Sequence, residues 1–213
     1  MVILRFFHNK GAVISLVLII MVAIFAFVTP YISNFSPNAD NPAQSNFNPG
    51  MAGHWFGTDN LGRDIFTRVA KGTSISLEVA FVAMAIDLII GTTYGMVSGY
   101  FGGKVDIIMQ RISEILSTIP MIIVVTLLVL VMRPGMTSII VAMMIMGWIN
   151  MSRIVRAQVL KVKSEEYILA AKSMGMPTYQ IIFSEILPNT IGQIVTTFMF
   201  SIPNAIFLEA FLA

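Results

Sequence analysis

The sequence predicts an all-α integral membrane protein, a polytopic helical bundle with five spans in this chain, and three observations carry that class. Of the 213 residues, 56% are hydrophobic and only 11% are charged, with a mean hydropathy of +0.83, a balance that soluble domains rarely have. The apolar residues gather into runs of about the 20 residues needed to cross the hydrocarbon of a bilayer. Lysine and arginine fall unevenly between those runs, which gives the bundle a direction.

The clearest run covers residues 11 to 32. It is longer than the apolar core of a cleaved signal peptide, and no small-residue cleavage pattern follows Tyr31. Residues 76 to 98, 115 to 132, 136 to 154 and 189 to 213 supply the other spans. Between the first two lies one extended polar linker, the Asn- and Pro-rich stretch from 33 to 53, followed at 60 to 73 by Leu61, Ile65, Phe66 and Val69 at helical spacing. That spacing predicts a short helix on the outer membrane surface. The adjacent Arg63 and Asp64 suit a turn or cap device better than a substrate contact. The organisation is thus an N-terminal segment at 1 to 10, a first transmembrane helix at 11 to 32, an external loop at 33 to 75, and a transmembrane core at 76 to 213.

Cytoplasmic segments collect Lys and Arg, so a cytoplasmic N-terminus is the favoured orientation. It places nine of the 13 basic residues inside: Arg5, Lys10, Lys104, Arg111, Arg153, Arg156, Lys161, Lys163 and Lys172. Four remain outside, namely Arg63, Arg68, Lys71 and Arg133. The longest cytoplasmic segment is then the loop from 156 to 188.

That loop contains a helix-turn-helix pattern. Ser164 is placed to cap a first helix whose opening turn carries Glu165 and Glu166 against the positive end of the helix dipole. Gly175 follows as a left-handed stop, with Pro177 just beyond, and a second short helix is expected from 178 to 187. Tyr167, Ala170, Ala171 and Met174 fall at i, i+3, i+4 and i+7 on one face. Two small side chains between two larger ones suit close approach of another surface; the alternative is a hairpin packed on its own protein.

The pattern Ala170, Ala171, Gly175, Leu187, Pro188 resembles the EAA loop of permease subunits of ATP-binding cassette importers. Leu169 stands where that motif has its glutamate, and Glu185 where many relatives have isoleucine. In the peptide and nickel branch the form is closer to Glu166-Tyr167, then the alanines and glycine, then Ile186-Leu187-Pro188-Asn189. A second string, His54-Trp55-Phe56-Gly57-Thr58-Asp59-Asn60-Leu61-Gly62-Arg63-Asp64 followed by Gly72-Thr73-Ser74-Ile75-Ser76-Leu77, resembles the second (C-type) permease subunit of the same branch. The resemblance covers most of the chain, from about residue 10 to residue 213.

The resemblance implies an importer permease of the bacterial cell membrane. Glu166, Tyr167, Ala170, Ala171, Lys172, Met174 and Gly175 would dock a separate ATPase. The implied partners are a homologous second permease subunit, two ATP-binding cassette ATPases and an extracytoplasmic solute-binding protein, with no nucleic acid. This chain would bind no cofactor itself, ATP and Mg belonging to the ATPases. Relatives continue through another span, so a sixth is expected in the full-length protein beyond Ala213.

Ionisable groups within spans mark pathways, because charge in hydrocarbon costs about 2.5 to 3.5 kcal/mol on insertion scales and turns toward protein or water. Asp87 is central in its span, at a position where many relatives carry a small hydroxyl or apolar residue. Glu209, Asn150 and Asn204 join it as translocation-path candidates. Glu78, Ser152, Thr196 and Thr197 are weaker, since residues at span ends sit at the interface and polar side chains often simply join helices. Gly91, Gly95 and Gly99 form a seam suited to close helix packing.

Several chemistries are disfavoured. There are no cysteines and only two histidines, leaving no thiolate site and little basis for a zinc cluster. The phosphate-binding Gly-Lys-Ser/Thr loop required of an ATPase is missing, so this chain is not expected to be an enzyme. Peptide import, with oligopeptides ahead of dipeptides or nickel, is the function expected. The alternative is an ion-coupled secondary transporter or channel, in which the cytoplasmic helix pair is a gate and Asp87 carries a proton or cation. A third class, a membrane-anchored receptor or scaffold, would show no solute flux.

Overall fold

The computed structural model describes residues 7 to 133 and 135 to 212, so Arg5 and Ala213 lie outside the described residues. The chain divides into two compact units, 1 to 77 and 78 to 213.

In the first unit, helix α1 (Lys10–Ile32) opens on Asn9, whose side-chain oxygen accepts from the amides of Gly11 and Ala12 at 3.1 and 3.3 Å. Most of its apolar side chains face outward, as expected of a lipid-facing span. The polar linker beyond it is tightly tied. Amides of Asn41 and Asn46 donate to the carbonyls of Leu61 and Asp59, both at 3.0 Å. Gly62 makes this fold possible: it has φ of 76°, and a Cβ there would lie 1.8 Å from the Asn41 carbonyl oxygen.

The expected role of the Arg63-Asp64 pair is met. The Arg63 amide and guanidinium, with the Leu61 amide, bind the Asp59 carboxylate at 2.8 to 3.0 Å and hold its pKa below the usual range. Asp64 accepts from the Thr67 amide at 2.7 Å, capping the next helix, and pairs with the buried His54 at 2.9 Å. Burial opposes ionisation of Asp64, but bonds from Thr67 and His54 outweigh it and the pKa is lowered. Phe66 anchors the module, with Phe25, Trp55 and Phe56 rings at 5.3, 5.6 and 5.1 Å.

The cap at Asp64 corrects one expectation. The helix begun by α2 (Ile65–Ile86) runs through a π turn at Asp87–Gly91 into α3 (Thr92–Phe101), 37 residues in all. The short helix predicted at 60 to 73 is therefore not a separate element but the first part of the long helix that carries the second span: once capped, nothing between Ile65 and Ser76 breaks it.

In the second unit, α4 (Gly103–Ser117) and α5 (Met121–Met132) meet at a 72° bend where Pro120 interrupts the chain, so the third predicted span is a broken one. α6 (Met136–Met146) continues through Gly147 into α7 (Trp148–Lys163), extending the fourth span nine residues past residue 154. After the short α8 (Glu166–Ser173), the chain runs from α9 (Thr178–Gln180) through a π turn at Ile181–Ile186 into α10 (Leu187–Leu212).

The separate helix expected at 178 to 187 is thus the first part of the fifth span. The π turn lets Pro188 join it: the Leu187 amide donates to the Ile182 carbonyl five residues back, and the Asn189 side chain donates to the Glu185 carbonyl at 2.6 Å. Counting the bent pair as one, five spans are long and apolar enough to cross a membrane among the described residues.

The glycine seam holds α3 and its π turn against α7. A Cβ on Gly91 would lie 2.7 Å from Met151 Cβ, one on Gly95 2.5 Å from the Ser152 carbonyl oxygen, and one on Gly99 2.9 Å from Val159 Cβ. The seam is a packing device, as its spacing predicts.

Candidate coupling hairpin and transmembrane cavity

The hairpin is built from residues whose roles the helix ends explain. Ser164 does not cap α8: its hydroxyl donates to the Lys161 carbonyl at 2.8 Å and closes α7, while Glu165, in extended conformation, precedes the new helix. The two helices are too close for Ser164 to serve both. The stop is as expected. Gly175 has φ of 80°, its amide donates to the Lys172 carbonyl, and the Met176 amide donates to that of Ala171, both at 3.1 Å. No atom lies within 4 Å of a Cβ built on Gly175, so conformation alone demands glycine there.

The predicted face is divided. Ala171 is only 5% exposed and turns inward beside the buried Ile168, which packs with Val155, Val159 and Ile181. Glu166, Tyr167, Ala170, Lys172, Met174 and Gly175 face outward, Tyr167 at 43% and Met174 at 78% exposure. A helix this short spends one side on its own protein, and Ile168 with Ala171 at i+3 forms that side. Leu169, in the position of the motif's glutamate, is 54% exposed and enlarges the outward apolar surface. Burial, then the carboxylates of Glu165 and Glu185, raise the Tyr167 pKa, keeping a neutral phenol beside an acidic rim.

A polar network ties the hairpin's supporting helices together. Asp106 of α4 accepts from Arg156 of α7 through both guanidinium branches at 2.5 Å, and from Ser98 of α3 at 2.5 Å. Gln110 donates to Ser98 at 3.1 Å, and Lys163 donates to the Tyr100 carbonyl at 2.5 Å.

Farther along the spans, a cavity of about 360 Å³ opens between α2, the first π turn, α5, α6, α7 and α10. Three of the four pathway candidates, Asp87, Asn150 and Asn204, line it; Glu209 does not. Ser201, also on its wall, donates a short hydrogen bond to Asp87 Oδ2. Ser201 was legible in principle, as a hydroxyl one helical turn before Asn204 on the same face. The π turn begins at Asp87, a placement common at functional sites.

A polytopic helical bundle with a cavity between its spans that holds a few polar side chains, and with an exposed helical hairpin, has the form of a membrane transport component. Residues 91–213 match the family of binding-protein-dependent transport system inner membrane components, and residues 1–49 match the N-terminal transmembrane domain of oligopeptide transport permease C. The chain belongs to this permease family of ATP-binding cassette importers. It is 43% identical over 210 residues to the oligopeptide transport system permease protein OppC of Bacillus subtilis, covering 99% of this chain and 68% of the relative. It is 45% identical over 209 residues to the dipeptide transport system permease protein DppC of the same organism, covering 98% and 65%. The Escherichia coli K12 OppC is 40% identical over 210 residues, covering 98% and 70%. The chain spans about two thirds of the length of these relatives.

Proposed function

We propose that this chain forms half of a peptide pathway through a bacterial cell membrane and couples it to a separate ATPase through the hairpin at 165 to 188. Oligopeptides are favoured over dipeptides or nickel by the match of residues 1–49 and by the relatives' names. The observation that carries the coupling role is the exposed surface of Tyr167, Leu169, Ala170 and Met174 on a hairpin whose opposite side is buried. The asymmetry of Lys and Arg supports a cytoplasmic N-terminus, which puts this surface where an ATPase can reach it.

In this reading ATP and Mg are bound and hydrolysed by partner ATPases, a second permease subunit completes the pathway, and a solute-binding protein delivers cargo from outside. Movement of the docked hairpin passes into the spans without slack. α9 is continuous with α10, and α7 is locked to α3 by the glycine seam and to α4 by Arg156 and Asp106. Such rigid linkage suits two-state alternation of access.

The test is Gly175→Val in the assembled importer. A β-branched residue at φ of 80° costs about 1 to 2 kcal/mol locally, so ATPase association and peptide uptake fall while the spans stay folded. Unchanged association and uptake would refute the coupling role, and uptake driven by an ion gradient without the ATPase would establish the secondary transporter instead.

A further inference from the structure

We propose that Asp87, with Asn150 and Asn204, forms a subsite that receives a primary ammonium group of the transported peptide; the proposal rests on the peptide-importer reading and specifies what its pathway recognises. The cavity is otherwise mostly apolar, lined by side chains such as Ala83, Met121, Met143 and Phe207. Asp87 is its one charged lining residue among those described, and neither lysine nor arginine shares the wall. A carboxylate among apolar walls attracts a cation strongly, because little water screens it.

The carboxylate is held but not used up. Ser201 donates to Oδ2, fixing the group on the cavity wall, while Oδ1 has no hydrogen-bond partner among the described residues. An ammonium carries three N–H donors and no acceptor. Asp87 Oδ1 and the side-chain carbonyls of Asn150 and Asn204, from three elements that line the same cavity, can supply that number of acceptors. The amides add no charge, so peptides of varied side chains can still pass. A metal ion fits less well, since the wall holds a single carboxylate and no histidine.

The chemistry has two sources in a peptide, the α-amino group and a lysine side chain. The experiment is equilibrium dialysis of labelled tripeptides against the detergent-solubilised importer lacking its solute-binding protein. The probes are Ala-Ala-Ala, N-acetyl-Ala-Ala-Ala and N-acetyl-Lys-Ala-Ala. Losing a charge-assisted hydrogen bond weakens binding by about tenfold or more, so wild type binds the free tripeptide about tenfold better than its acetylated form. Asp87→Asn lowers the free tripeptide to the acetylated level, whereas Asp87→Glu retains most of the preference. Recovery of affinity with N-acetyl-Lys-Ala-Ala shows that a side-chain ammonium is accepted too. Persistence of the preference in Asp87→Asn, or equal losses for every peptide, overturns the subsite. If wild type binds no peptide while ATPase docking is intact, the peptide reading itself fails and the subsite with it.

Discussion

One helix, running from Ile65 to Phe101, shows opposite behaviour on two sides of its π turn. At Gly91, Gly95 and Gly99 it packs so closely on α7 that a methyl group finds no room. At Asp87, one turn earlier, it turns a carboxylate toward an open cavity. The difference shows how one membrane helix divides its length: small residues bring backbones together where it packs, and a polar residue stands where a cavity is left open.

The largest expected effect comes from closing the gap on the packed side. Gly95→Leu places a side chain against the Ser152 backbone and Val155, and it is expected to abolish recovery of a monodisperse protein in detergent. The milder Gly95→Ala costs about 1 to 3 kcal/mol, seen as a lowered melting midpoint. A leucine accepted at Gly95 without loss would show that the seam is looser than its distances indicate.

Next comes the polar network that joins α3 and α7 to α4. Arg156→Leu leaves the Asp106 carboxylate, with its side chain 15% exposed, without its guanidinium and costs about 2 kcal/mol. Asp106→Asn added to Arg156→Leu restores part of that loss, which a double-mutant cycle of thermal stability measures. On the cavity side, Ser201→Ala is expected to change stability by less than about 1 kcal/mol, yet to lower peptide binding because Asp87 loses its fixed orientation.

The apolar centres of the spans were legible because hydropathy decides what enters a bilayer. Their ends were not. The helices at 65 to 75, 155 to 163 and 178 to 188 continue beyond the apolar runs. Caps and hydrogen bonds, such as those of Asp64 and Asn189, decide where a helix starts or continues, and hydropathy does not report them. The hairpin's glycine stop could be read from local chemistry alone. Which side of α8 faced inward could not, since that depends on Ile168 packing in a cluster with Val155, Val159 and Ile181 of other helices.

The smallest effect concerns the polar linker that follows the first span. Asp59 and Asp64 have pKa values lowered by their donors, so the stability they contribute is fully present above the ordinary aspartate value of about 3.9 and is lost as pH falls through their lower folded values. Trp55 fluorescence is expected to hold steady above that pH and change below it. Loss of the signal at neutral pH would contradict the proposed role of the two carboxylates.

The hairpin's claim on an ATPase can be read with an introduced thiol, because these 213 residues contain no cysteine. In the assembled importer, Met174→Cys is expected to cross-link to the ATPase through a short bifunctional thiol reagent carrying an amine-reactive end. Ala171→Cys, which is turned inward, is expected to give little product. Equal cross-linking from both positions would contradict the assigned docking face, and no ATPase product from Met174→Cys would contradict docking itself.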